Sequence, residues 1–234
     1  MSADPALVAA LAESVLPPGL GVAARDPTVL LEPGAPQERD AVHRAVPRRV
    51  AEFHAGRAAA RDAMARLSLP PLPVPMGVDR APVWPEGLTG SISHSATACV
   101  AAVGPLSIWA GIGVDLEEAT PLDPMLVEQV CTRAERRWLG AQPQPERGLL
   151  AKLIFSAKEA TYKAQYPTTG RIFGFDVIEI SIDRGEIGFK ACFQSDQGVF
   201  AAGTILGGSY VYAAGLLVTG VAVGQSGVAG LNEG

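Results

Sequence analysis

Phe155-Ser156-Ala157-Lys158-Glu159-Ala160-Thr161-Tyr162-Lys163-Ala164 is the stretch around which the rest of the chain is arranged. It contains neither Gly nor Pro, and its Ala, Lys and Glu residues are strong helix formers. Phe155, Glu159 and Lys163 recur every four residues and share one face. Leu150, Leu153, Ala157, Ala160 and Ala164 form a neighbouring apolar stripe that turns inward. The charged row therefore runs along the edge of a buried face. An i,i+4 pair of Glu159 with Lys163 would by itself only stabilise the helix, by about 0.2–0.5 kcal/mol.

A second stretch, Gly113-Val114-Asp115-Leu116-Glu117, ends an apolar run. Alternation along a strand puts Asp115 and Glu117 on one face. Two hard oxygen ligands there, with Glu159 as a third from the helix, suit Mg²⁺ bound together with substrate phosphates. Gly90-Ser91-Ile92-Ser93-His94-Ser95 precedes this strand. His94 has no second histidine at ligand spacing, which argues against zinc.

The 234 residues are 48% hydrophobic, enough for a substantial core, and the net charge of −5 argues against nucleic acid as a partner. Any anion site must therefore be a local cluster of Lys and Arg. Cys99, Cys131 and Cys192 lack metal-ligand spacing and suggest reduced thiols in a cytoplasmic protein. Asp4 and Glu13 argue against a signal peptide at the N-terminus. No charged residue occurs from Gln197 to Asn232, but glycines break this stretch below the length of a membrane helix. No membrane association is expected.

Read in order, Asp4–Leu16 is a helix capped by Ser2 or Asp4 and stopped by Pro17-Pro18-Gly19. Residues 20–35 read as strand and loop. Residues 36–67 are mostly helical, with Pro47 marking a start or a kink. This helix carries Arg49 and Arg57, which lie within about 80° of each other around its axis. Strands are predicted at 98–103 and 108–117, and a helix over 124–139. Further strands are expected at 175–183, 187–193, 200–206 and 210–219, the last two joined by a turn at Gly207-Gly208-Ser209, with a mobile tail from Gln225. The layout predicts an α+β fold of two similar halves, 1–118 and 119–234. Each half is a small antiparallel sheet with a long helix, and a site lies at their junction.

Gly113-Val114-Asp115-Leu116-Glu117 followed by Phe155-xx-Lys158-Glu159-Ala160-xx-Lys163 resembles the paired motif of the surfactin-type 4′-phosphopantetheinyl transferases. Trp84-Pro85-x-Gly87-xx-Gly90-Ser91-Ile92-Ser93-His94 is similar to the enterobactin-synthetase and mycobacterial branch of that family, and the similarity runs from about Arg48 to Phe175. The resemblance implies a pseudo-twofold fold with coenzyme A bound between the halves. It implies transfer of the phosphopantetheine arm to a serine of an apo carrier protein (acyl, peptidyl or aryl). Asp115, Glu117 and Glu159 would hold Mg²⁺, and Glu159 or a water it holds is also the candidate base. Asp115, Glu159 and Lys163 would be catalytic. Lys158 and Lys163 would bind phosphate oxygens, Ser93 and His94 the nucleotide phosphates, and Arg49, Arg57 and Arg80 the 3′-phosphate and adenine end. Phe155 stands where many members have Trp. The larger type in this family acts as a monomer, so a monomer is expected. Arg133, Arg136 and Arg137 are candidates for meeting an acidic carrier helix. Two other readings use the same residues: a non-catalytic module binding coenzyme A or a carrier protein, and a Mg²⁺-dependent phosphohydrolase. All motif acids are present, which favours the transferase.

Overall fold

The computed structural model describes residues 3–29, 34–42, 44–185 and 187–231. The part of the strand-and-loop reading that falls on 30–33 lies outside the described residues. Helix α1 (Pro5–Ser14) begins with Pro5 in its first turn and with the Asp4 carboxylate accepting from Ala6 N, as a helix N-terminus requires. Strand β1 (Gly21–Arg25) and the short α2 (Pro36–Arg39) lead to α3 (Pro47–Arg66), where Pro47 starts the helix without kinking it. Strands β2 (Leu88–His94) and β3 (Cys99–Pro105) complete an antiparallel sheet of order β1-β3-β2. The small residues Ala59, Ala60 and Ala63 of α3 pack on it beside Met64.

Strand β4 (Trp109–Glu118) belongs to a second sheet, although the sequence division at 118 assigns it to the first half. That sheet also contains β5 (Ile178–Asp183), β6 (Gly188–Phe193), β7 (Ile205–Ala213) and β8 (Leu216–Gly224), in the order β4-β8-β7-β6-β5. The antiparallel β4–β8 register puts Asp115 opposite Thr219. A main-chain ladder thus ties β4 to the second half. Between β4 and β2 serine side chains take over: Ser91 Oγ accepts from Val114 N at 3.0 Å and Ser93 Oγ from Leu116 N at 3.2 Å.

The predicted helix over 124–139 is two helices, α4 (Pro124–Val130) and α5 (Arg133–Gly140). Thr132 and Glu135 form a reciprocal capping box that restarts the chain as α5. The long helix α6 (Arg147–Thr169) runs through Pro167 and ends at Gly170. The predicted strands at 200–206 and 210–219 are shifted toward the C-terminus, and their turn falls at Ala214-Gly215. Gly207 and Gly208 lie inside β7 because the Phe189 ring covers Gly208; a Cβ there would approach it to 2.2 Å. The tail expected to be mobile forms α7 (Gln225–Leu231), pinned by Gln225 Nε2 donating to Leu106 O at 2.7 Å.

Helix α6 lies flat on β4. A Cβ on Gly113 would come within 1.7 Å of Ala160 O, so a bare backbone is needed there. With Ala157, Ala160 and Ala164 buried below, this approach brings the charged edge of α6 to the acidic end of β4. No helix among the described residues is long and apolar enough to cross a membrane.

Candidate active site

Asp115 lies on β4, 4% exposed, at the seam between the two sheets. Its Oδ1 accepts from Lys163 Nζ at 2.7 Å and Ser93 Oγ at 2.9 Å, and its Oδ2 accepts from Ser156 Oγ at 2.8 Å. Lys163 reaches across from α6 and also donates to Ser93 Oγ and Val114 O. It is paired with Asp115, and the simple i,i+4 pair with Glu159 is not formed. Glu159 makes no hydrogen bond or ion pair among the described residues. Burial pushes its carboxyl above the usual range; Lys163 opposes the rise, and Asp115 and Glu117 add to it. Glu117 is raised by burial and by Asp115, with Lys152 Nζ at 3.0 Å working against the rise. Among the described residues no three His, Cys, Asp or Glu side chains already converge on a common metal position. Asp115 raises both Glu117 and Glu159, and Glu117 raises Glu159 further, without the three forming a closed cage.

Two clefts open on either side of Asp115. One, about 500 Å³, is lined by Arg48, Arg49, Glu52, His94 and Glu117. Arg49 Nη1 lies 2.8 Å from His94 Nε2. A guanidinium can only donate, so His94 Nε2 accepts and the imidazole is neutral. Burial lowers the His94 pKa, and Glu52, 3.8 Å from Nδ1, pulls it back up. Glu52 also takes Arg48 at 2.8 Å and organises this cleft. Sequence reasoning missed it, because nothing in the i,i+4 pattern separates it from an ordinary helix acid. The other cleft, about 580 Å³, is lined by Arg80, Trp84, Ser91, Tyr162, Lys163 and Tyr166. Its wall is a small hairpin whose tip, Asp79, accepts from Tyr166 Oη at 2.5 Å across the cleft. Arg80 follows with a positive φ of 69°. Beside Glu159 a smaller depression is lined by Tyr162, Phe173, Phe175 and Ile178.

Two expected ligand-binding residues are engaged by protein groups. Lys158 is 2% exposed; its Nζ pairs with Glu135 at 2.8 Å and donates to Val130 O and Phe175 O. Sealed from solvent among these partners, it ties the end of α4, α5 and the turn before β5 to α6. Arg57 is 6% exposed, donates from Nε to Val74 O at 2.8 Å and stacks over Phe53. Burial lowers its pKa to about 10. The structure brings together Ser93, Asp115, Glu117, Glu159 and Lys163, flanked by His94 with Arg49 on one side and Arg80 on the other.

Residues 37–104 match the family described as the 4′-phosphopantetheinyl transferase N-terminal domain, and 111–214 match the 4′-phosphopantetheinyl transferase superfamily. The second match begins at 111, two residues into β4, so most of that strand falls within it. 4′-Phosphopantetheinyl transferase Svp of Streptomyces mobaraensis is 37% identical over 213 residues, 85% of this chain and 80% of its own. 4′-Phosphopantetheinyl transferase PptT of Mycobacterium tuberculosis is 33% identical over 68% of this chain and 70% of its own. Enterobactin synthase component D of Salmonella typhimurium is 40% identical over 50% of this chain and 48% of its own. With matches spanning both sheets and a relative alike over most of its length, the chain belongs to the 4′-phosphopantetheinyl transferase superfamily.

Proposed function

We propose that the seam around Asp115 is where this chain moves the phosphopantetheine arm of coenzyme A onto a serine of an apo carrier protein. The serine oxygen bonds to the β-phosphorus of coenzyme A. The bond from that phosphorus to the bridging oxygen breaks, and adenosine 3′,5′-bisphosphate leaves. One observation carries the reading: the Lys163 ammonium held on buried Asp115, beside a Glu159 that has no ion-pair partner among the described residues. Phosphoryl transfer needs charge stabilisation and alignment more than covalent help. Lys163, half-buried and already at the seam, is suited to a phosphate oxygen of the leaving nucleotide. Glu159, raised by burial and without a hydrogen-bond partner among the described residues, is suited to take the serine proton. The pair Arg49–His94 on one side and Arg80 on the other are suited to the nucleotide end, where guanidinium groups grip phosphate and stack on a base.

The donor set fits a divalent cation. Asp115, Glu117 and Glu159 offer only oxygens, and their mutual repulsion is the excess negative charge a hard cation relieves. These residues would hold Mg²⁺, which when bound neutralises charge on the diphosphate. Both halves lie in one chain, which supports action as a monomer. Cys99 and Cys131 are buried free thiols, raised to about 12 and about 11 by burial, in keeping with a reducing cytoplasm.

The test is to incubate the protein with Mg²⁺, coenzyme A and apo acyl, peptidyl and aryl carriers, then weigh each carrier by intact-protein mass spectrometry. A gain of one phosphopantetheine arm is expected, and it should vanish with EDTA or in Glu159→Ala. No gain on any carrier, with coenzyme A still bound, would replace the transferase with a binding module.

A further inference from the structure

Behind Asp115 lie two hydroxyls that have been given no role so far. Ser156 on α6 and Thr219 on β8 are both completely buried. Ser156 Oγ is 2.8 Å from Asp115 Oδ2 and 2.9 Å from Thr219 Oγ1, and Thr219 Oγ1 is 3.0 Å from the Ser156 carbonyl oxygen. Each hydroxyl has one proton, so the directions can be counted. Ionised Asp115 only accepts, which takes the Ser156 proton. The Thr219 proton is then left for the oxygens of Ser156. On the other side, Ser93 Oγ accepts from Leu116 N and from Lys163 Nζ, which directs its own proton to Asp115 Oδ1. Lys163 takes the second lone pair of Oδ1. Oδ1 is therefore saturated, and Oδ2 keeps one lone pair open.

Packing alone does not call for these hydroxyls. Alanine is a better helix former than serine in the middle of α6. Valine has the shape of threonine and suits a buried strand. A carboxylate torsion, by contrast, is broad and two-fold unless both oxygens are held.

We propose that Thr219 and Ser156 form a buried hydroxyl relay that aims Asp115 Oδ2 outward as a single-oxygen ligand, making both of them positioning residues for divalent-cation affinity. This rests on the reading of Asp115 as a cation ligand. Thr219 orients Ser156, Ser156 fixes Oδ2, and Ser93 with Lys163 closes Oδ1. Partners behind a metal ligand typically alter affinity 10- to 100-fold when removed.

The test uses Mn²⁺ alone as probe, with free ion counted by electron paramagnetic resonance in titrations of the full chain. Wild type should bind saturably and Asp115→Asn should not. Ser156→Ala should weaken binding about tenfold while still unfolding in one cooperative transition. Thr219→Val should weaken it in the same direction, and Thr219→Ser, which keeps the hydroxyl, should restore it. The Mn²⁺ concentration giving half-maximal transfer should follow the same order. If Ser156→Ala folds poorly, the Thr219→Val and Thr219→Ser comparison decides alone. Wild-type affinity in Ser156→Ala and Thr219→Val, with binding lost in Asp115→Asn, would overturn the relay and leave the cation site standing. No saturable binding by wild type would overturn both.

Discussion

Lys158 and Lys163 sit on the same helix and do opposite work. Lys163 reaches solvent and the seam, whereas Lys158 is sealed against Glu135, itself 2% exposed. Removing one partner of a buried pair leaves the other charge stranded, a loss of about 3–5 kcal/mol. Lys158→Met should therefore lower unfolding free energy in urea by that order, with little change in KM for coenzyme A. Intact stability with a raised KM would return Lys158 to the phosphate. From sequence the two lysines look alike, because helical periodicity gives a face but not the partner waiting there. Thr132 and Glu135 did carry a signal, since their spacing is that of a capping box. His94 gives a pH prediction. Its folded pKa lies below the ordinary value of about 6.5, so the unfolded chain binds more protons in the window beneath it. The stability that His94 contributes is present above that window and lost as pH falls through it. Glu117 and Glu159, raised in the folded chain, act in the opposite sense. Comparing wild type with His94→Asn removes their contribution. The difference in thermal midpoint should shrink between neutral and mildly acid pH, and a constant difference would show that His94 does not titrate with folding.

Helix α6 and strand β4 are the pair of elements that make the site, and both were legible. The apolar stripe of α6 and the alternation of Asp115 with Glu117 are local patterns with different periods. Their contact was not legible, because it depends on Gly113 letting the Ala160 carbonyl approach. Gly113→Ala needs a clear shift of helix or strand, and overpacking of this kind costs about 1–3 kcal/mol or more. The variant should show a lower denaturation midpoint and a still larger fall in transfer rate, since α6 carries Glu159 and Lys163. A midpoint equal to wild type would mean the helix can rise freely. The hairpin of β7 and β8 was misplaced for a related reason. Gly207 and Gly208 look like turn residues, and only the Phe189 ring, brought in by β6, explains glycine inside a strand. Helix α5 presents Arg133, Arg136 and Arg137 on an exposed face, with Arg136 donating to Glu128 O. Charge reversal of the three should raise KM for an acidic carrier and leave KM for coenzyme A in place. Unchanged kinetics would remove α5 from the docking surface.

Across the whole molecule, the two sheets meet where β2 runs beside β4 without a main-chain ladder between them. The sequence division into two halves is visible in the two sheets and their long helices, but the boundary strand changes sides. A pair of serine hydroxyls on β2 stitches the backbone of β4 at this seam, beside an apolar core that the two sheets share. Ser93 is committed to Asp115 as well as to Leu116 N, so it cannot be removed without disturbing the carboxylate. Ser91 serves the backbone alone: its Oγ accepts from Val114 N at 3.0 Å and lies 3.5 Å from Val114 O. Ser91→Ala therefore loosens the seam without removing a partner of the Asp115 carboxylate. It leaves a buried amide without its acceptor, a cost of about 1–3 kcal/mol. That cost falls on the closed arrangement of the sheets and not on either sheet's own ladders. Hydrogen exchange should consequently quicken at Val114, by about tenfold for each 1.4 kcal/mol, while amides within the β1-β3-β2 ladder keep their protection. Because Asp115 follows Val114 directly, transfer rate should fall together with that protection. Equal exchange at Val114 in Ser91→Ala and wild type would mean that the apolar core shared by the sheets, with Val100 and Ala102 of β3 beside Ile112 and Val114 of β4, and not the hydroxyl stitch, holds the halves together.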